Sequence, residues 1–200
     1  MVDYNFKPRR GRDDYGWHNR GYLPHFDGPE QTQFLTFRLF DSMPKDVLDG
    51  WRSESLNDIQ FRKKAEKYLD AGYGSCWLRR PEIGSMVCDS LRFHHTKKYD
   101  LDSWVVMPNH VHVLLTPLAG FHLDQIEHSI KSYTANEANK LLGRKGQFWA
   151  PECFDRYIRD YRHFNAVIQY IENNPVKARL CRQPEEWPFS SAAERWKGRV

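Results

Sequence analysis

Two apolar runs hinged on a proline and an asparagine constrain this chain more than any other feature. Tyr99–Met107 (YDLDSWVVM) and His110–Thr116 (HVHVLLT) are separated only by Pro108-Asn109. Both runs are rich in β-branched, aromatic and other apolar residues, which predicts strands. Pro-Asn bends the chain. Strands joined by so short a connection pair antiparallel, because a parallel pair needs a crossover of a dozen residues or more.

The segments on either side supply partners for that hairpin. Gln31–Leu39 (QTQFLTFRL) alternates polar and apolar residues and reads as a third strand, ended by the turn-like Asp41–Pro44. Residues 44–81 read as helical, with one or two amphipathic helices over 45–69 closed at Gly72 and Gly74. Pro81–His95 reads as a helix with Pro81 in its first turn, and His122–Leu142 as another, stopped by Gly143. A short extended stretch is expected around Phe148-Trp149 and Phe154. A helix over Asp160–Asn173 buries Phe164, Val167, Ile168 and Ile171, and Asn174-Pro175 is expected to end it. The order is β, α, α, β-β, α, short β, α, an α+β layout of mostly antiparallel sheet with helices against it.

Three regions follow: an irregular basic and aromatic arm over 1–30, one domain over 31–191, and a polar tail over 192–200. The arm sets Arg9, Arg10, Arg12 and Arg20 among Tyr15, Trp17, Tyr22 and Phe26. That pattern suits single-stranded nucleic acid, whose bases stack on rings while guanidinium groups meet phosphates, and equally suits an arm packed across the domain.

Composition narrows the class of protein. The 200 residues are 40% hydrophobic and 28% charged, which is globular rather than disordered. No apolar run is long enough to cross a bilayer, and Met1–Arg12 has no apolar stretch behind its basic residues, so neither a membrane span nor a secretory signal is expected. Cys76, Cys88, Cys153 and Cys181 form no C-x-x-C pair, which removes the ligand spacing of a zinc ribbon and fits a reduced, cytoplasmic chain. The formal charge of +4 permits a nucleic-acid partner without requiring one. The excess is local: residues 131–182 hold ten Lys/Arg against five Asp/Glu.

Two constellations could carry chemistry. In His110-Val111-His112 both imidazoles project from one face of the strand, where neutral rings can share a divalent ion. A half-buried pair satisfied by backbone groups is the alternative. In Tyr170-Ile-Glu-Asn-Asn174 the first and last side chains are i, i+4 neighbours at the border of the apolar face. They bring a phenol beside a carboxamide oxygen. A core-edge tyrosine with its hydroxyl in water is the alternative there, and Tyr133 is a rival nucleophile.

These segments, together with Trp104-Val-Val-Met-Pro-Asn, Lys131-Ser-Tyr-Thr-Ala, Phe154-Asp-Arg-Tyr-Ile-Arg-Asp160, Asn174-Pro-Val-Lys177 and Trp187-Pro-Phe-Ser-Ser191, resemble the REP-associated tyrosine transposases. Those proteins are relatives of the single-tyrosine insertion-sequence transposases in the HUH nuclease superfamily. The resemblance runs from about Leu23 to Ser191 and leaves the first twenty residues unmatched; 44–81 is longer than the minimal family pattern.

The resemblance implies a ferredoxin-like sheet with the H-x-H on a central strand. It implies His110, His112 and Asn174 as ligands of Mg²⁺ or Mn²⁺, and Tyr170 as the catalytic tyrosine. The implied activity is site-specific cleavage and transfer of single-stranded DNA beside a hairpin, through a covalent 5′-phosphotyrosine. No membrane or nucleotide cofactor is expected, and a monomer is favoured over a dimer. Expected DNA contacts are Lys131, Arg144, Lys145, Arg159 and Lys177, with Arg9, Arg10 and Arg12 of the arm. The competing readings are a hairpin-binding protein with little catalysis and an unrelated metal-dependent hydrolase.

Overall fold

The computed structural model describes residues 16–19, 24–27, 30–54 and 56–197. Its centre is a four-stranded antiparallel sheet of β3 (Gln33–Arg38), β4 (Tyr99–Val106), β5 (His110–Pro117) and β6 (Phe154–Tyr157), in the order β4-β5-β3-β6. The hairpin read from the sequence is β4-β5, with Val106 opposite Val111 and its turn closed by the Met107 N–H donating to the His110 carbonyl at 2.8 Å. Every residue of β5 is buried, as befits an interior strand. Helices α1 (Lys45–Ser53), α2 (Asp58–Asp70) and α3 (Pro81–Phe93) connect β3 to β4, α4 (Leu123–Leu141) connects β5 to β6, and α5 (Tyr161–Lys177) follows β6. Strand order and connections are those of a ferredoxin-like α+β fold.

Alternation along the strands makes two unlike faces. Val111, Val113 and Leu115 of β5 share one face with Leu35 and Phe37 of β3. Helices α3 and α4 cover it. The Tyr99 hydroxyl donates to the Leu91 carbonyl of α3 at 2.6 Å, and Trp149, edge-on to Phe37, donates its indole N–H to Thr134 of α4 at 2.9 Å. Gly84 of α3 lets the Leu78 turn and the Phe189 ring pack against the helix, since a Cβ there would meet the Leu78 carbonyl at 2.9 Å. His110, His112 and Leu114 share the opposite face with Arg38, Thr36 and Phe34. Helix α5 covers that face.

Helices α1 and α2 build a second core from Met43, Leu48, Trp51, Phe61, Ala65 and Leu69, against which Phe154 of β6 packs. An Asn57/Gln60 capping box starts α2. Two contacts pin its far end: Asn109 donates its amide N–H groups to the carbonyls of Leu69 (3.2 Å) and Tyr73 (2.9 Å), and Lys177 pairs with Asp70 at 2.6 Å. The long 44–81 segment therefore lies beside the histidine face.

Three expectations need correction. Helix α5 does not stop at Asn174-Pro175 but runs to Lys177. Pro175 removes only the bond that its missing N–H would have made to Ile171. The next turn is held by Ala178 N–H to Asn174 O and Leu180 N–H to Pro175 O, both 2.9 Å, and Arg179 at φ 58° ends it in the role usual for glycine. The segment read as a polar tail over 192–200 is largely helical and partly buried: Ser191–Lys197 form α6, with Ala193 buried. The segment before α6 covers the β4 edge, where Val106 N–H donates to Phe189 O (2.8 Å) and the Trp187 indole to Val106 O (2.9 Å). Ion pairs Arg92–Glu194 and Arg195–Glu172 tie α6 to α3 and α5.

The third correction concerns the arm, read as irregular, which contains a short antiparallel hairpin, β1 (Gly16–Asn19) with β2 (Pro24–Asp27). Arg9, Arg10 and Arg12 lie outside the described residues, as do Tyr15, Arg20 and Tyr22. All four cysteines are unpaired. Among the described residues no helix is long and apolar enough to cross a membrane.

Candidate active site

The two histidines of β5 are fully buried and face each other, Nε2 to Nε2 at 3.2 Å. Their other ring nitrogens are anchored. His110 Nδ1 lies 2.7 Å from Asn109 Oδ1. The Asn109 amide cannot turn, because its N–H groups are spent on Leu69 and Tyr73, so its oxygen must accept. His110 thus carries its proton on Nδ1 and leaves a lone pair on Nε2. His112 Nδ1 meets the Thr36 hydroxyl at 2.7 Å, which can donate or accept. His112 can therefore present either N–H or lone pair at Nε2 without losing its anchor. Burial, then the Lys177 charge, lowers His110 to about 3; burial, then His110 and Lys177, lowers His112 well below the ordinary histidine range. Both rings are neutral near pH 7, the form that ligates a metal.

Helix α5 lays a stripe of three side chains over this pair. Tyr170, Asn174 and Lys177 fall at i, i+4 and i+7 on one face, and Lys177 belongs to that face only because the helix passes through Pro175. The Tyr170 ring packs edge-on against His112 (5.3 Å) and Phe34 (5.8 Å), with Lys177 Nζ 5.6 Å from its centre. Asn174 is 1% exposed, and neither its Oδ1 nor its Nδ2 has a hydrogen-bond partner; the buried Tyr170 hydroxyl has none of normal geometry either. Each orphaned polar group costs on the order of 1–3 kcal/mol. Burial, then Glu66 and Asp70, pushes the Tyr170 phenol well above its ordinary 10, opposed by the Asn174 amide and Arg156.

This donor set fits a divalent ion. Two anchored imidazoles and an amide oxygen with no partner make a neutral N₂O set that leaves coordination positions open for phosphate and water oxygens. No group of three or more His, Cys, Asp or Glu among the described residues competes with it as a metal centre.

Beside Tyr170 opens a groove of about 670 Å³ between α2, β6 and α5, its walls carrying Arg62, Glu66, Arg156, Arg159 and His163. Arg62, Glu66 and Asp70 come from α2 and had not been singled out. Their spacing, i, i+4, i+8, puts them on one helical stripe, but a charged stripe reads equally well as a solvated face.

The expected phosphate contacts divide. Lys177 and Arg159 are at the site or in its groove. Lys131 is not: it is paired with Glu127 and the Pro151 carbonyl, both at 2.9 Å, on α4 beyond the opposite face of the sheet. Arg144, bonded to the Gln147 carbonyl at 3.2 Å, and exposed Lys145 follow α4 and do not line the groove. Tyr133, the rival nucleophile, is 54% exposed on α4, with the sheet between it and the histidines. Nearness in sequence had grouped these residues, and the sheet separates them.

Known proteins resemble this chain in sequence and in fold. Residues 88–174 match the family model described as Transposase IS200 like, a stretch that starts in α3 and ends on Asn174. The chain is 27% identical over 101 residues to the REP-associated tyrosine transposase of Escherichia coli (strain K12), a match covering 50% of this chain and 59% of that protein. A solved structure described as the REP-associated tyrosine transposase bound to a REP hairpin superposes with a TM-score of 0.53 at 18% identity, covering 90% of this chain and 84% of that one. That last likeness speaks for the fold. The resemblance read from the motifs is confirmed.

Proposed function

Starting from a chain whose residues 88–174 match an IS200-like transposase, we propose that it is a site-specific single-strand DNA endonuclease and strand transferase acting beside REP-like hairpins. The observation that carries this reading is the stripe Tyr170–Asn174–Lys177 laid over the facing Nε2 atoms of His110 and His112. One copy of the chain holds all of these groups, so a monomer suffices.

Each residue has a distinct task. A divalent ion, Mg²⁺ or Mn²⁺, held by His110, His112 and Asn174 would supply Lewis-acid polarisation of the scissile phosphate. Asn109 and Thr36 orient the two rings from behind. Lys177, above the Tyr170 ring, offers its charge to a phosphate oxygen, and Arg156 favours the phenolate that burial disfavours. The Tyr170 oxygen loses its proton and attacks phosphorus in line. The P–O3′ bond breaks, the 3′ oxygen takes up a proton, and a 5′-phosphotyrosine remains. Its phosphodiester keeps the energy of the bond, so a second 3′-hydroxyl can reverse the step and transfer the strand without ATP.

Tyr170→Phe should bind hairpin-flanked DNA within a few-fold of the parent and form no covalent adduct on a denaturing gel. An adduct with this variant overturns the assignment. A hairpin-binding protein with little catalysis is the second reading, favoured by the buried, neutral Tyr170 hydroxyl. It predicts the same binding but no adduct with the parent chain in Mg²⁺ or Mn²⁺.

A further inference from the structure

The groove beside Tyr170 carries more positive charge and more idle donors than its own side chains can satisfy. Arg62, Arg156 and Arg159 all line it, and among the described residues none of the three guanidinium groups forms a hydrogen bond or ion pair. Glu66 is the one carboxylate on the α2 wall, and Asp155 of β6 is buried. Arg62 Nε is buried without a partner. His163 sharpens the picture. Its Nδ1 accepts the Arg159 backbone N–H at 3.3 Å, so in the neutral ring the proton sits on Nε2. That Nε2 is buried and also lacks a partner. The ring is kept neutral first by burial and then by Arg156 and Arg159.

Unpaired guanidinium groups and an orphaned imidazole N–H around one cavity call for an acceptor-rich anion. Burial and then the Arg62 charge lower Arg156, with Glu66 offsetting part of the effect. The metal centre does not explain them. It is built from β5 and the end of α5, whereas this cluster comes from α2, β6 and the first turn of α5.

We propose that Arg62, Arg156 and His163 form a second phosphate-binding subsite, which holds a backbone phosphodiester next to the scissile one and so sets where along the strand Tyr170 cuts. Arg62 stands on α2, before the stretch that matches the transposase family. Bidentate guanidinium contacts and a fixed N–H position a strand without reading its bases. The proposal rests on the single-strand nuclease reading for the identity of its ligand but not for the existence of the anion site.

The test separates the two. The full-length chain, with ¹⁵N-labelled histidine, is titrated first with inorganic phosphate. Binding should shift the His163 Nε2–H signal, and Arg62→Ala should weaken that shift at least tenfold, with Arg62→Lys recovering part of it. Oligonucleotides carrying one neutral methylphosphonate at each position in turn are then bound beside a hairpin. One position other than the scissile phosphate should weaken binding about tenfold in the parent, and the same position should be silent in Arg62→Ala and His163→Ala. A His163 signal that phosphate does not move overturns the subsite. A methylphosphonate profile identical in parent and both variants also overturns it. A moved signal with no adduct at Tyr170 leaves the subsite standing and brings down the nuclease reading instead.

Discussion

The two faces of the sheet are packed by opposite rules. Against α3 and α4 the strands present mostly apolar side chains, Val111, Val113, Leu115, Leu35 and Phe37; of the polar atoms that enter, Tyr99 Oη and Trp149 Nε1 have partners, and the Trp104 indole N–H, in register with Val113, has none. Against α5 the same strands present two histidines, and the helix answers with a tyrosine hydroxyl and a carboxamide that have none. One face is built almost wholly from apolar contacts. The other leaves buried polar groups unpaired, where the proposed DNA and divalent ion would supply the missing contacts. Two orphaned polar side chains on one helical stripe over a histidine pair call for an explanation, and a functional role is one that packing does not supply.

The largest effect that could break this contrast lies on the histidine face. His110→Ala should lower cleavage by at least 10²-fold in Mg²⁺ or Mn²⁺ while leaving hairpin binding within a few-fold, measured as adduct formation per bound complex. The same variant should lose the rise in melting temperature that divalent ions give the parent chain. Parent activity undiminished in excess chelator would remove the metal from the account.

A pair of substitutions compares the faces directly. Leu91→Ala, under the apolar face, should cost about 2–5 kcal/mol by urea denaturation, the usual range for a buried leucine. Asn174→Leu, of similar volume, should abolish cleavage yet raise stability by about 1 kcal/mol, since it replaces a desolvated amide with an apolar group. A destabilised Asn174→Leu would mean that the carboxamide has partners in solution and the face is not under tension.

The smallest effect concerns a strand that both faces share. Burial, with Asp100 nearby, raises Asp102 to about 7, and its Oδ2 has no partner. Between the ordinary aspartate value and that pH the folded chain binds more protons than the unfolded one. This group's contribution to stability therefore falls as pH rises from about 4 to 7. Asp102→Asn should be more stable than the parent at pH 8 by a margin that shrinks toward pH 5. A pH-independent margin would place the effect outside titration.

What could be read from the sequence was what local periodicity encodes. The hairpin at Pro108-Asn109, the face shared by His110 and His112, and the i, i+4 pair Tyr170/Asn174 all follow from side-chain direction within one element. The failures share a cause in tertiary packing. Local sterics place a helix end before Pro175, yet the following turn closes on its own bonds and brings Lys177 to the site. Lys131 and Lys177 belong to one basic stretch but lie on opposite sides of the sheet. Arg62, Glu66 and Asp70 reach Tyr170 across about a hundred residues of chain, a proximity no window along the sequence contains.

Tyr170, whose buried hydroxyl has no partner on the histidine face, is the proposed nucleophile. The direct measurement is mass spectrometry of the proteolysed adduct formed between the full-length chain and hairpin-flanked single-stranded DNA in Mg²⁺ or Mn²⁺. A 5′-nucleotide phosphate is expected on the peptide that contains Tyr170. Its appearance on the Tyr133 peptide, or no covalent species at all under conditions where the DNA is bound, would contradict it.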